Sequence, residues 1–228
     1  MRYLYEIARI RVLCEIPFSV QTGAESADFF RLIPVESKAD LKFIIRPVQT
    51  LPVMPEKGHW EINRYYTEIS EEQCVYHCPA RSMPPYACVA WPGRRADIVF
   101  CDYVQGMESY MDRSHNICDL IGLETLLMRY GGLMLHAAFV RWQEKGILFT
   151  APSGTGKSTQ ADLWANYEEA EILNGDRAGL RCIDGRWTAF GLPLAGSSYI
   201  YRNESAPADI IVVLRQSPEN RFRRLGPA

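Results

Sequence analysis

Eight consecutive residues of this chain have the types and spacing to grip a polyphosphate. Ala151-Pro152-Ser153-Gly154-Thr155-Gly156-Lys157-Ser158 follows the pattern G-x-x-x-x-G-K-[ST], with alanine in place of the first glycine. Only a small side chain is needed at that first position. Gly154 and Gly156 let the main chain curl so that its N–H groups point inward. Lys157 should reach the β- and γ-phosphates, and the Ser158 hydroxyl is suited to Mg²⁺. Ser153, Gly154, Thr155, Gly156, Lys157, Ser158 and Thr159 are therefore the expected cradle for ATP·Mg²⁺. A chance match in an ordinary glycine-rich turn is the plain alternative.

A cradle needs an acid to act against. The segment EILNGDRAGLR (171–181) reads as a short strand ending at Gly175-Asp176, and Asp176 follows Lys157 by only 19 residues. That leaves room for one short helix and one strand, a closer spacing than in many phosphate-loop ATPases. Asp176 is the candidate general base and a candidate metal contact beside Ser158. His136 lies on the strand expected to pair with the one feeding the loop, where it could hold a carboxylate in place. The plain alternatives are a turn or capping role for Asp176 and a hydrogen-bonded core position for His136. Arg177 and Arg202 are candidates to steady transferring charge, or else ordinary solvated arginines.

The elements that must position these groups can be read from periodicity. ILFT (147–150) is a strand entering the loop, and TQADLWANYEE (159–169) a short helix leaving it. Leu133–Trp142 reads as a preceding strand, with Glu144-Lys145-Gly146 as the reversal. That hairpin implies a mixed sheet. Asn116–Arg129 has apolar residues near i, i+3, i+4 spacing, which predicts one amphipathic helix closed by Gly131-Gly132. Upstream, Tyr3–Leu13, Leu41–Pro47 and Ala96–Tyr103 read as strands separated by proline- and glycine-marked turns. The chain divides into a β-rich accessory unit over 1–115, suited to selecting a substrate, and an α/β phosphate-loop unit over 116–228.

Composition limits the alternatives. The 228 residues are 47% hydrophobic and 23% charged, enough for a core and too apolar for a disordered chain. A net charge of −2 gives no bulk cationic field for nucleic acid or an anionic membrane. No apolar run approaches the roughly 18–20 residues of a membrane span. Glu6, Arg9 and Arg11 interrupt the apolar N-terminus, unlike a signal peptide. Seven scattered cysteines do not make a disulfide framework. The expectation is a cytoplasmic protein with reduced thiols.

LHAAFV (135–140), ILFTAPSGTGKST (147–159), ILNGDRAGL (172–180) and FGLPLAGSS (190–198) occur in the order seen in HPr kinase/phosphorylase catalytic domains, and YRNESAPADIIVVLRQSPENRFRRL (201–225) continues it. The chain resembles that family, which shares a phosphate-loop fold with phosphoenolpyruvate carboxykinase, over about residues 117–228. The resemblance implies a kinase domain with a mixed sheet, in which His136 assists the catalytic Asp176, and Lys157 and Ser158 handle phosphate and metal. Asp176 matches the second of the family's paired aspartates; the first is Gly175 here. The N-terminal half does not match that of HPr kinases, so the implied acceptor is a serine or threonine hydroxyl of another protein or peptide, including the precursor peptides of modified natural products. Relatives assemble as oligomers, leaving a homo-oligomer open, and they continue past the point where this sequence stops at RFRRLGPA. A non-catalytic ATP-binding sensor and a nucleotide hydrolase remain as other readings.

Weaker signals are Cys74-x3-Cys78 with His77 and Cys88, whose spacing is permissive for zinc but lacks a second tight pair, and the basic run Arg221, Arg223, Arg224. Trp60, Trp91, Trp142, Trp164 and Trp187 read as core or domain-contact residues.

Overall fold

Two-residue reversals organise much of the chain, and several use non-glycine residues with positive φ. Ala8 and Arg9, at φ 50° and 59°, fold the apolar stretch read as one strand into a hairpin of β1 (Arg2–Ile7) and β2 (Ile10–Glu15). No Asn-Gly or Asp-Gly signal marks that turn, which is why the sequence does not show it. The computed structural model describes residues 1–21, 26–32, 38–93, 96–194 and 196–226.

Seven more strands complete the N-terminal unit: β3 (Arg31–Leu32), β4 (Leu41–Val48), β5 (His59–Glu61), β6 (Arg64–Ile69), β7 (Glu72–His77), β8 (Ala87–Trp91) and β9 (Ile98–Val104). Among the described residues they form one sheet in the order β3-β1-β2-β4-β9-β8-β7-β6-β5. Alternation along β2 and β4 puts Val12, Cys14, Leu41, Phe43 and Ile45 on one buried face.

The expected single helix over Asn116–Arg129 is two: α1 (Ser114–Ile121) and α2 (Leu123–Arg129). Gly122 at φ 67° is the break between them. A glycine that takes the left-handed conformation ends a helix, whatever the apolar period beyond it. The apolar faces of both helices, including Ile117, Leu120, Leu126 and Leu127, share one core with the N-terminal sheet, and that core extends to Phe190 and Leu192 of the second unit.

The second unit contains β10 (Gly132–Trp142), β11 (Lys145–Thr150), α3 (Lys157–Tyr167), β12 (Glu171–Asn174), β13 (Arg177–Ile183), β14 (Arg186–Gly191) and β15 (Ser205–Val213). The β10–β11 turn is Gln143-Glu144, one residue earlier than the Glu144-Lys145-Gly146 reading. Strand order among the described residues is β11-β15-β14-β13-β10-β12, and β11 also pairs with β10, so five strands close on themselves. The β11–β15 pair is parallel and the others antiparallel. The architecture is thus α/β with mixed sheets and few helices. Ala137, Phe139, Leu148, Ala178 and Leu180 fill the closed sheet. Ala138, Val140, Ile147 and Phe149 face outward onto Ala161 and Trp164 of α3. Trp91 is buried and Trp142 and Trp164 pack edge to face, whereas Trp187 is half exposed. Among the described residues no helix is long and apolar enough to cross a membrane.

β10 changes partner along its length. Residues 132–136 pair with β13, and 139–141 pair with β12. The connection between β12 and β13 is Gly175-Asp176, so this change of partner sets Asp176 beside His136.

Candidate functional site

The loop after β11 carries the glycine conformations its sequence calls for. Gly154 and Gly156 sit at φ 77° and 110°, and a Cβ built on either meets nothing within 4 Å. The space above both is open. No side chain caps the N-terminus of α3 at Gly156, so the positive end of an 11-residue helix faces that space. Lys157 is buried and donates from Nζ to the carbonyls of Ala151 (3.1 Å) and Pro152 (3.4 Å). These are replaceable acceptors at the loop's own base. Ser153, Gly154, Ser158 and Thr159 are exposed, and Thr155 and Gly156 are partly buried.

His136 is about half exposed, so it is not a core histidine. Its Nε2 lies 3.2 Å from Asp176 Oδ1. Register ties this pair to the loop: Ala137 pairs with Thr150, so His136 stands across from Ala151, and the Thr150 hydroxyl donates to the His136 carbonyl (3.0 Å). Asp176 Oδ2 accepts from Arg177 Nε at 3.3 Å. Arg177 continues to Glu124 of α2, also at 3.3 Å.

The backbone around Asp176 is fixed by a residue that the motif reading passed over. Asn174 is fully buried. Its Oδ1 accepts from the N–H groups of Asp176 and Arg177, both at 2.9 Å, and its Nδ2 donates to the carbonyls of Leu192 (2.8 Å) and Leu194 (2.9 Å). The Asn174-Gly175 dipeptide was the available signal, because asparagine commonly bonds backbone two residues on. The segment 190–198, in which Ala195 lies outside the described residues, wraps this turn. A Cβ on Gly196 would stand 2.7 Å from Asp176 Cγ, and one on Gly175 would collide with the Ser198 side chain. A side chain at 175 therefore has no room in this packing.

Other candidates lie elsewhere. Arg202 pairs with Glu171 and lies 3.9 Å from Glu204, while Arg141 pairs with the same two acids. Glu171 is at the start of β12 and Asp176 beyond its end, so the Arg202 guanidinium is held at the end of β12 away from Asp176. Cys74 and Cys88 sit in a small apolar cluster with Tyr65 and Tyr76, while His77 faces Asp119 at 3.9 Å; among the described residues no group of three His, Cys, Asp or Glu side chains is arranged to hold a metal. Arg221 pairs with Glu219 on the exposed C-terminal segment, and Arg223 and Arg224 are exposed there too; Pro227 and Ala228 lie outside the described residues.

No family model matches the chain, and no curated protein matches it either. The functional reading therefore rests on the residues and their geometry.

Proposed function

We propose that this chain is an ATP-dependent phosphotransferase of the HPr kinase-like kind, acting on a serine or threonine hydroxyl of a protein or peptide. The observation that carries the reading is the His136–Asp176 pair, 3.2 Å apart, held one register position from the base of a glycine loop that opens onto the N-terminus of α3.

The loop residues fit a phosphate. Gly154 and Gly156 leave space that a side chain would fill, the helix end carries partial positive charge, and Lys157 can exchange two loop carbonyls for phosphate oxygens. Ser158 and Asp176 supply the hard oxygen donors that Mg²⁺ prefers; when bound there, the ion would neutralise charge on the phosphates. Phosphoryl transfer then asks the protein chiefly for positioning and electrostatics. His136 Nε2 stands 3.2 Å from Asp176 Oδ1 and Arg177 Nε donates to Oδ2, so each carboxylate oxygen has a nitrogen neighbour that holds it in place. The acceptor hydroxyl gives its proton to Asp176 as its oxygen bonds to the γ-phosphorus. The bond from that phosphorus to the β–γ bridging oxygen breaks, and its electrons leave with ADP.

The filled space at Gly175 favours one second reading, an ATP-binding module that does not transfer phosphate. Labelled ATP separates the two. Incubation with γ-labelled ATP and a serine-peptide mixture should label peptide, with Asp176→Asn reducing the rate by about 10²–10⁴-fold while nucleotide binding stays within a factor of about two. Undiminished labelling by that variant would remove Asp176 from its role, and binding without turnover would favour the module.

A further inference from the structure

Where the acceptor sits follows from a cleft beside Asp176, and this inference rests on the phosphotransferase reading. A cavity of about 440 Å³ opens between the β5–β8 end of the N-terminal sheet and helices α1 and α2. Arg177 forms part of its wall, and the same side chain reaches Asp176. The cleft is thus one side chain away from the carboxylate that would take the hydroxyl proton.

The charged groups in this cleft are not equivalent. The Arg64 guanidinium is paired with Asp119 of α1 and lies 4.0 Å from Glu124. The Arg177 guanidinium is held between Asp176 and Glu124. Both cations are already committed to carboxylates. Glu61 is the third acid of the lining, mostly exposed, with His59 at 3.9 Å as its ion-pair contact. His77 is buried at the cleft wall, and its contact with Asp119 is longer than a hydrogen bond. Burial, with Arg64 beside it, pushes its pKa down to about 3, so the imidazole adds no positive charge near neutrality. Three carboxylates against two guanidiniums leave the lining one negative charge in excess. The lining also carries the stacked pair Tyr86 and Tyr110, with centroids 5.0 Å apart. Tyrosine faces attract guanidinium and ammonium groups.

We propose that this cleft is the acceptor site and that it selects a peptide carrying an arginine or lysine close to the hydroxyl to be phosphorylated. Glu61 and the Tyr86–Tyr110 faces take the cationic side chain, while Arg177 marks the edge across which the hydroxyl meets Asp176.

The test uses the full chain and two fluorescein-labelled serine peptides, one with arginine flanking the serine and one with glutamate. Fluorescence anisotropy should give about tenfold tighter binding of the arginine peptide, and Glu61→Arg, an exposed substitution, should erase that preference. Equal affinities in the wild-type chain, or a preference that survives Glu61→Arg, would overturn the site. The same peptides with γ-labelled ATP distinguish the two levels of the account. Selective binding without transfer supports the cleft's ligand class and sinks the phosphotransferase reading. Transfer equally fast to both peptides supports the reaction and sinks the cleft.

Discussion

The N-terminal sheet with α1, and the region around the glycine loop, hold their ionisable groups differently. In the N-terminal sheet and the helix α1 packed on it, several such groups are buried. Desolvation pushes the thiols of Cys14, Cys101 and Cys118 and the Tyr5 hydroxyl up, and holds His77 down at about 3. Burial favours the neutral form of each of these groups, and the partly buried Arg64 is paired with Asp119. Around the glycine loop the candidate groups are half exposed or make exchangeable contacts: His136, Asp176, and Lys157 on its own loop carbonyls. The first set is held by burial and pairing, and the second can change partner. A site that binds and releases a polyanion needs the second kind, and a site that measures an acceptor needs the first.

The sharpest way to break this contrast is at the exchangeable cation. Lys157→Ala should abolish ATP turnover, with a loss of about a thousandfold or more measured as labelled-phosphate release and transfer. An unaffected rate would mean that Lys157 stays on Ala151 and Pro152 and never meets a phosphate. Next comes the crowded turn. Gly175→Asp would set a second acid beside Asp176, yet its Cβ collides with Ser198. We expect a destabilisation of about 1–3 kcal/mol, read as a fall in Tm, with part of it recovered by adding Ser198→Gly. A Gly175→Asp protein as stable as wild type would show that the turn yields easily.

A smaller effect tests the buried set. His77 has a folded pKa near 3 against about 6.5 when unfolded. The unfolded chain therefore binds the extra proton between these values. The contribution to stability is full above pH 6.5 and falls as pH drops toward 3, by up to about 1.4 kcal/mol per pH unit. Denaturant titrations of His77→Gln across that window should show a shallower pH slope than wild type. An identical slope would mean that the imidazole is already protonated in the folded chain.

Much of the site was legible in local sequence, because strand, glycine loop and helix follow one another within about twenty residues and each carries its own signal. The mixed sheet was legible for the same reason, through the β10–β11 hairpin. The hairpin at Ala8-Arg9 and the break at Gly122 were not, since one lacks turn residues and the other is hidden inside a continuous apolar period. Asn174-Gly175 carries a turn signal, but the bonds from Asn174 to Leu192 and Leu194 join residues distant in sequence and leave no local trace. The cleft could not be read at all. Arg64, Asp119, Glu124 and Arg177 span more than a hundred residues of chain, and only the packing of α1 and α2 on the N-terminal sheet assembles them.

The central claim is that the loop at 151–158 wraps the triphosphate with Asp176 across from its end. The most direct measurement is a crystal structure of the full chain with Mg²⁺ and a non-hydrolysable ATP analogue. The account predicts the phosphates cradled by Ser153–Ser158, Lys157 Nζ turned from Ala151 and Pro152 onto their oxygens, and the terminal phosphorus facing the Asp176–His136 pair. A nucleotide bound elsewhere, or a triphosphate in the loop with its end pointing away from Asp176, would contradict it.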